Sequence, residues 1–232
     1  MNVEPPSAET LPAGEDAYRS IKSDIVLSRI APGAAVSEAM LEKRYSFGRA
    51  SIRKALTRLA QDGLIVPRAR SGHQVAPLTL ADIDEVFMLR RRLEPYSVRL
   101  AAGRIDEPRL RALDQLCRAS YTAGDIEGEL AFLEANRQFH VALGYAAGLP
   151  RLGRMVEQLH DEAARILYLG FRLKSRSEEW SHGHEALLEA LTAPDPEKAE
   201  KIATDLLDHS YEQVRKAALE SRSLRGAELV AG

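Results

Sequence analysis

The chain has 232 residues, 45% of them hydrophobic and 28% charged, which is the balance of a folded globular protein and excludes disorder along its whole length. Its single cysteine excludes an internal disulfide framework, and the sequence holds no run of roughly 18 apolar residues that would predict a membrane helix. We therefore expect a cytoplasmic protein without a membrane partner. The net charge of -2 is unevenly divided, because residues 14–76 carry 11 Lys and Arg against 6 Asp and Glu, whereas the remainder of the chain is acidic. This basic excess favours a polyanion partner for residues 14–76 alone, although chance also produces an excess of that size.

Residues 14–76 are predicted to form three helices and a hairpin. Apolar residues at helical spacing mark the helices, over residues 17–28, 38–45 and 49–62. Ser37 is a suitable N-cap for the second helix, and Gly63 stands where a glycine ends the third. Two short strands, 64–66 and 73–75, then flank a basic turn. Three helices followed by a two-stranded wing predict a winged helix-turn-helix, a fold that binds DNA.

The rest of the chain shows helical periodicity throughout. A break at residues 77–80 predicts a linker, and six helices follow, over residues 81–102, 107–123, 125–146, 150–173, 178–192 and 195–221. Antiparallel helices joined by short loops form a bundle that can enclose a central cavity. We therefore predict a mainly α protein, with an N-terminal winged helix-turn-helix and a C-terminal all-α helical bundle. The bundle, residues 81–221, is expected to bind an effector and to dimerise, and flexible tails are expected at residues 1–13 and 222–232.

The third predicted helix concentrates basic side chains in its first turns. Arg49 and Arg53 are four residues apart and share a face, while the apolar residues of the helix point to the core. A helix in the major groove reads bases with its N-terminal residues, and an arginine can bind O6 and N7 of guanine together. The helix and the wing predict DNA contacts by Arg49, Ser51, Arg53, Lys54, Arg58, Arg68, Arg70, Gly72 and His73. The alternative is an amphipathic helix whose basic face is merely solvated.

Three histidines mark a second candidate site. His140, His184 and His209 lie on three different predicted helices, and Asn136 shares a face with His140 one turn earlier. Helices of a bundle can bring such side chains to one interior point, where three neutral imidazoles and an oxygen donor suit a first-row divalent ion with open positions. The alternative is three unrelated histidines, each satisfied locally. His160 has no partner pattern and is predicted to lie on the surface.

Three N-terminal motifs stand out, and they are Ala31-Pro32-Gly33, the run from Phe47 to Leu56, and Leu59 followed by Gly63-Leu64-Ile65. They resemble the GntR superfamily of bacterial transcription regulators. The motifs at residues 90–94, 136–140, 184–191 and 208–209 resemble the FCD effector domain of the FadR subfamily. The resemblance covers residues 17–214 and implies a ligand-responsive regulator, more often a repressor, that binds a pseudo-palindromic double-stranded DNA operator as a homodimer.

In the FCD family one Asp and three His hold a metal, and the carboxylate of a small effector metabolite coordinates it. The resemblance thus implies that Asn136, His140, His184 and His209 bind a divalent transition metal of the zinc, nickel or manganese class. Asn136 stands where Asp is more common, and its neutral amide attracts the ion less strongly. The same regulator without metal, with a larger acyl ligand in the bundle, therefore stays an alternative.

Arg90 resembles an inward-facing arginine of the family, which implies that it clamps an effector carboxylate. A salt bridge to Glu94, one turn further on, is an equally good interpretation. Gly48 stands where the family usually has Ser, which removes a hydroxyl expected to contact phosphate. A metal-dependent hydrolase is a remote alternative. It would need a general base beside the metal, and the one candidate adjacent in sequence is Glu185. Neighbouring residues of a helix point about 100° apart, so Glu185 would not face the same way as His184. We therefore expect no enzyme activity.

Overall fold

The computed structural model describes residues 13–68, 72–119, 125–173 and 183–220. The chain divides into two compact units, with the border between Ala76 and Pro77. Arg70 and nearly all of both predicted tails lie outside the described residues. Within the described ranges, no helix is long and apolar enough to cross a membrane.

The first unit contains the three predicted helices and a small antiparallel sheet. Its elements in chain order are α1 (Ala13–Val26), β1 (Ala35–Val36), α2 (Glu38–Tyr45), α3 (Arg49–Gln61), β2 (Ile65–Arg68) and β3 (Gly72–Val75). The strand order is β1-β3-β2, and β3 pairs antiparallel with both neighbours. The winged helix-turn-helix prediction is confirmed. Strand β1 was not predicted, because a strand of two residues is too short to show a sequence pattern.

Local sequence sets the ends of the two central helices. The Ser37 side chain accepts a hydrogen bond from the Met40 amide at 3.2 Å and caps α2, as predicted. Gly63 follows α3 with φ of 70°, and the next amide, that of Leu64, donates to the Leu59 carbonyl at 2.9 Å. This is the glycine-ended arrangement that closes a helix and turns the chain into β2.

The second unit is a bundle of helices, and all six predicted helices are found in it. They are α4 (Leu80–Ala101), α5 (Glu107–Ala119), α6 (Ile126–Ala146), α7 (Pro150–Leu173), α8 (Gly183–Thr192) and α9 (Pro196–Glu220). A capping box begins α4, because the Thr79 side chain and the Asp82 carboxylate each satisfy a backbone amide of the other. Helix α4 packs against α6, α7 and α9, which places its inward face at the centre of the bundle.

Candidate DNA interface and ligand cavity

Two arginines of α3 share one acidic partner on α2. Arg49 Nε donates to Glu38 Oε2 at 2.8 Å, and Arg53 Nε donates to Glu38 Oε1 at 2.8 Å. Both guanidinium groups stay well exposed, with 67% and 60% of their side-chain surface accessible. The hydrogen bond from Arg53, and then the one from Arg49, lower the pKa of the Glu38 carboxyl, which stays charged. The two arginines thus lie side by side on an exposed face, and sequence reasoning missed the carboxylate between them.

Other predicted DNA contacts on α3 have different surroundings. Lys54 is exposed and Ser51 is half-buried. Arg58 Nη1 donates to Glu15 Oε2 at 2.6 Å, and its guanidinium lies 3.8 Å from the centre of the Tyr18 ring. Arg58 therefore already has two partners on α1 and would have to leave Glu15 to bind a phosphate.

On the wing, Arg68 is exposed at the end of β2, and His73 is half-buried on β3 opposite Val36. Gly72 has φ of 84°, and a Cβ atom there would lie 2.9 Å from the Val36 carbonyl oxygen. Glycine is therefore required at this position by the packing of the wing itself, whether or not DNA approaches it.

In the second unit, one cavity brings together Arg90 and all four residues implied as metal ligands. Its polar lining consists of Arg90, Glu94, Asn136, His140, His184, His209 and Ser210, and its apolar lining of Val98, Leu167, Leu187, Ala203, Leu206 and Leu207. The rings of His140 and His184 lie edge to face with their centroids 5.3 Å apart. Sharing a cavity is what the resemblance implies for these residues.

The three histidines His140, His184 and His209 nevertheless do not form a compact donor group. We searched the described part of the chain for groups of three or more His, Cys, Asp or Glu residues whose donor atoms, one from each residue, all lie within 4.8 Å of one another. The group that meets this condition consists of Glu94, His140 and His160. His184 turns its Nδ1 to Asp114 Oδ1, 3.3 Å away. The implied ligands are thus close neighbours around the cavity and are not gathered at one point.

Arg90 and Glu94 form a buried ion pair in the cavity wall. Arg90 Nε donates to Glu94 Oε1 at 2.5 Å, and their side chains are 4% and 7% exposed. Burial alone would raise the pKa of the Glu94 carboxyl, but the charge of Arg90 holds it well below its usual range. The salt-bridge interpretation of Arg90 is therefore what the structure contains. Its Nη1 atom is buried without a hydrogen-bond partner, which leaves one donor for a ligand.

The prediction that His160 lies on the surface is wrong. Its side chain is 1% exposed, its Nε2 lies 3.2 Å from Glu94 Oε1, and its ring stacks on His140 with centroids 4.9 Å apart. The signal that could have placed it is the spacing of Val156, His160, Ala163 and Leu167, which share one face of α7 and are all buried. Burial is the main cause that lowers the pKa values of His140 and His160, so both imidazoles are neutral at pH 7.

The hydrolase alternative finds no support in the geometry around His184. Glu185 is exposed and accepts from Arg118 Nη2 at 3.3 Å, and it is absent from the cavity lining. Cys117 is buried, and burial raises the pKa of its thiol to about 12, so it stays protonated and unreactive.

A winged helix-turn-helix with two exposed arginines on its third helix, followed by a helical bundle with a polar cavity, is the architecture of a DNA-binding transcription regulator. Residues 13–75 match the model of the bacterial regulatory proteins of the gntR family, and residues 85–209 match the FCD domain. The chain belongs to the GntR family of transcriptional regulators and carries an FCD domain.

Curated relatives and solved structures agree with that assignment. The chain is 28% identical over 221 residues to the HTH-type transcriptional repressor RspR of Escherichia coli strain K12, a match that covers 95% of this chain and 97% of RspR. It is 27% identical over 200 residues to the repressor GlaR of the same strain, covering 81% of this chain and 89% of GlaR. The solved structure of E. coli McbR/YncC has a TM-score of 0.69 at 21% identity, covering 89% of this chain and 99% of that one, and so shares the fold. The family consists of regulators and not of enzymes.

Proposed function

We propose that this regulator is a repressor that binds a pseudo-palindromic operator as a homodimer and responds to a small carboxylate metabolite in the cavity of its bundle. The single observation that carries the effector part is the buried Arg90 Nη1 without a partner in a cavity wall. A buried guanidinium N–H without an acceptor is costly, and a carboxylate is the acceptor that fits it best. Repression is supported by the relatives RspR and GlaR, which are both repressors.

On the DNA side, Arg49 and Arg53 read bases, and the wing follows the backbone. The arginines are supported in this role because they lie in the first turns of α3, are exposed, and both donate to one carboxylate, that of Glu38. Their Nε atoms face Glu38, so the terminal Nη groups are free to face a base edge. Lys54 and Arg68 are exposed cations suited to phosphate contacts.

A divalent transition metal in the cavity is the part of the proposal that the family resemblance implies. Asn136, His140, His184 and His209 are the right kinds of donor, and all of them line the cavity. Such an ion, when bound, would attract and orient the carboxylate of the effector. The neutral Asn136 and the spread of the histidines weaken the fit of this set.

A metal-free cavity that takes a larger acyl ligand is the second candidate. The apolar lining favours it, because Val98, Leu167, Leu187 and Leu207 offer a wall for a hydrocarbon chain beside Arg90. The two candidates differ in metal content, and they share the arginine.

The homodimer is supported by exposed apolar side chains on the bundle. Leu89 and Tyr96 of α4 are 44% and 47% exposed, although both are large and apolar. They are seven residues apart and therefore share one face of the helix. A second copy of the chain is the partner that a symmetric operator requires.

The proposal is tested in two steps. Selection from random duplex DNA with the full chain should yield an inverted repeat, and binding to it should be tighter than to scrambled duplex at the same salt concentration. A panel of small carboxylates is then screened for release of the selected duplex. Arg90→Gln should abolish the response while Arg92→Gln, the same change at an exposed position of α4, should not. No enriched sequence would contradict the DNA part, and equal responses of the two variants would contradict the effector part.

A further inference from the structure

Three donors from three helices meet beside the cavity. Glu94 comes from α4, His140 from α6 and His160 from α7. His160 Nε2 lies 3.2 Å from Glu94 Oε1, and His140 Nδ1 lies 3.9 Å from Glu94 Oε2. All three side chains are at least four-fifths buried, and their donor atoms are mutually within 4.8 Å.

We propose that Glu94, His140 and His160 hold a divalent transition metal, in place of the set Asn136, His140, His184 and His209 that the resemblance implies. The inference rests on the proposed ligand cavity and names a different donor set for it. Two imidazole nitrogens and one carboxylate oxygen, with positions left open for a ligand, form a common site for such ions.

The distances match an ion site that closes by a small movement. Ligand bonds of about 2.0–2.1 Å in tetrahedral geometry place neighbouring donor atoms roughly 3.3 Å apart. The separations of 3.2 Å and 3.9 Å from Glu94 to the two histidines lie around that value. All three donor atoms lie within 4.8 Å of one another, so rotation of the side chains can close the group around an ion, whereas among the described residues His184 and His209 belong to no donor group this compact.

Charge also favours this set. Glu94 supplies a carboxylate with a negative charge, whereas Asn136 offers only a neutral amide. Arg90 donates to Glu94 Oε1 and so fixes the carboxylate from outside, as the hydrogen-bonded partners of metal ligands commonly do.

A buried nitrogen atom of His160 also points to an ion. His160 Nε2 is completely buried and, despite its closeness to Glu94, has no hydrogen bond of acceptable geometry. A buried nitrogen without a partner is uncommon, and an ion accounts for it. Glu94 and His140 line the cavity, so a ligand in the cavity can reach an ion held by them.

The test measures metal binding by the full chain with zinc or nickel alone. Metal-free protein is titrated by calorimetry, and bound metal is counted by mass spectrometry after dialysis. His160→Gln should weaken binding by more than about 100-fold, since loss of a ligand exceeds the loss of an outer partner. The matched variant His209→Gln should bind within about threefold of the wild type. Circular dichroism reports whether each variant is folded.

If His160→Gln does not fold, the wild type answers the question by nitrogen-15 NMR of its histidine side chains. Zinc should then shift the ring resonances of His140 and His160 and leave those of His209 in place. Binding lost in His209→Gln but kept in His160→Gln, or lost equally in both, would overturn the inference while leaving a metal-held effector possible. No metal bound by the wild type would overturn it as well, yet operator binding and the metal-free acyl ligand would stand.

Discussion

At the scale of single residues, Glu38 joins the two arginines of α3 through its two carboxylate oxygens. A charged partner restricts the rotamers of both guanidinium groups before DNA arrives, so less conformational entropy would be lost in the base contacts that we propose for them. The same carboxylate repels phosphate, which weakens binding to every sequence alike. Glu38 should therefore improve discrimination between sequences while lowering affinity overall.

Glu38→Gln should accordingly tighten binding to scrambled duplex and reduce the ratio between selected operator and scrambled duplex. Both affinities are measured by fluorescence anisotropy at one salt concentration. Glu42→Gln is the matched control, because it removes the same charge from α2 but lies 3.9 Å from Arg49 alone. If both variants change the ratio equally, Glu38 acts only through its charge.

Gly72→Ala should destabilise the winged unit. The positive φ of 84° costs a residue with a side chain roughly 1–2 kcal/mol, and the added Cβ would also press on the Val36 carbonyl. Chemical denaturation gives the free energy of unfolding. Gly48→Ala serves as the control, since Gly48 has φ of -64° and no atom within 4 Å of the new Cβ. A loss in the control as large as in Gly72→Ala would contradict the strain argument.

At the scale of elements, one carboxylate ties α1 to α2. Asp24 accepts from Tyr45 Oη at 2.6 Å, from Arg44 Nη2 at 2.6 Å and from Arg29 Nη1 at 3.1 Å. Burial alone would raise the pKa of Asp24, but these hydrogen bonds outweigh burial and lower it below its ordinary value of 3.8. Asp24 thus links α1 to α2, the helix that begins at Glu38.

Asp24→Asn should lower the free energy of unfolding at pH 7 by roughly 1–3 kcal/mol, the usual cost of losing hydrogen bonds to a buried charge. Because the folded pKa is depressed, the ionised carboxylate contributes fully only when the pH is well above the ordinary value of 3.8, from about pH 5 upward, and its contribution is lost as the pH falls through the folded pKa. The gap between wild type and variant should therefore narrow in acid. Denaturation curves at pH 7 and below pH 4 measure it, with Asp16→Asn on α1 as the control. A gap independent of pH would contradict the role of the charge.

Periodicity was enough to predict all nine helices of the described ranges, because long amphipathic patterns with glycine and proline breaks leave little choice. Strand β1 was not predicted, because two residues cannot show the alternation of apolar and polar side chains that marks a strand. Its backbone is identified as a strand through its pairing with β3. His160 and Glu38 were missed for a related reason. The partner of His160 is Glu94, 66 residues earlier in the chain, and the partners of Glu38 lie on another helix. A local sequence pattern contains no information about such distant partners.

At the scale of the whole molecule, charge and chemistry are divided between the two units. The basic excess lies in residues 14–76, which contain the exposed arginines, and the acidic remainder contains the cavity. An acidic bundle avoids unspecific attraction to DNA, so DNA affinity depends on the winged unit. One winged unit contacts few base pairs, and a second copy in a symmetric dimer doubles that number.

Tyr96→Glu should therefore convert a dimer into a monomer and weaken operator binding. The change places a charge on the apolar face that Leu89 and Tyr96 share on α4, and burying an unpaired charge in an interface is strongly unfavourable. Light scattering gives the mass in solution, and anisotropy gives the affinity for the selected inverted repeat. Leu116→Glu on α5 is the matched control, because Leu116 is 53% exposed and lies on a different helix. A dimer that survives Tyr96→Glu would move the interface away from this face, and a wild-type monomer that binds the inverted repeat one chain at a time would contradict the dimer itself.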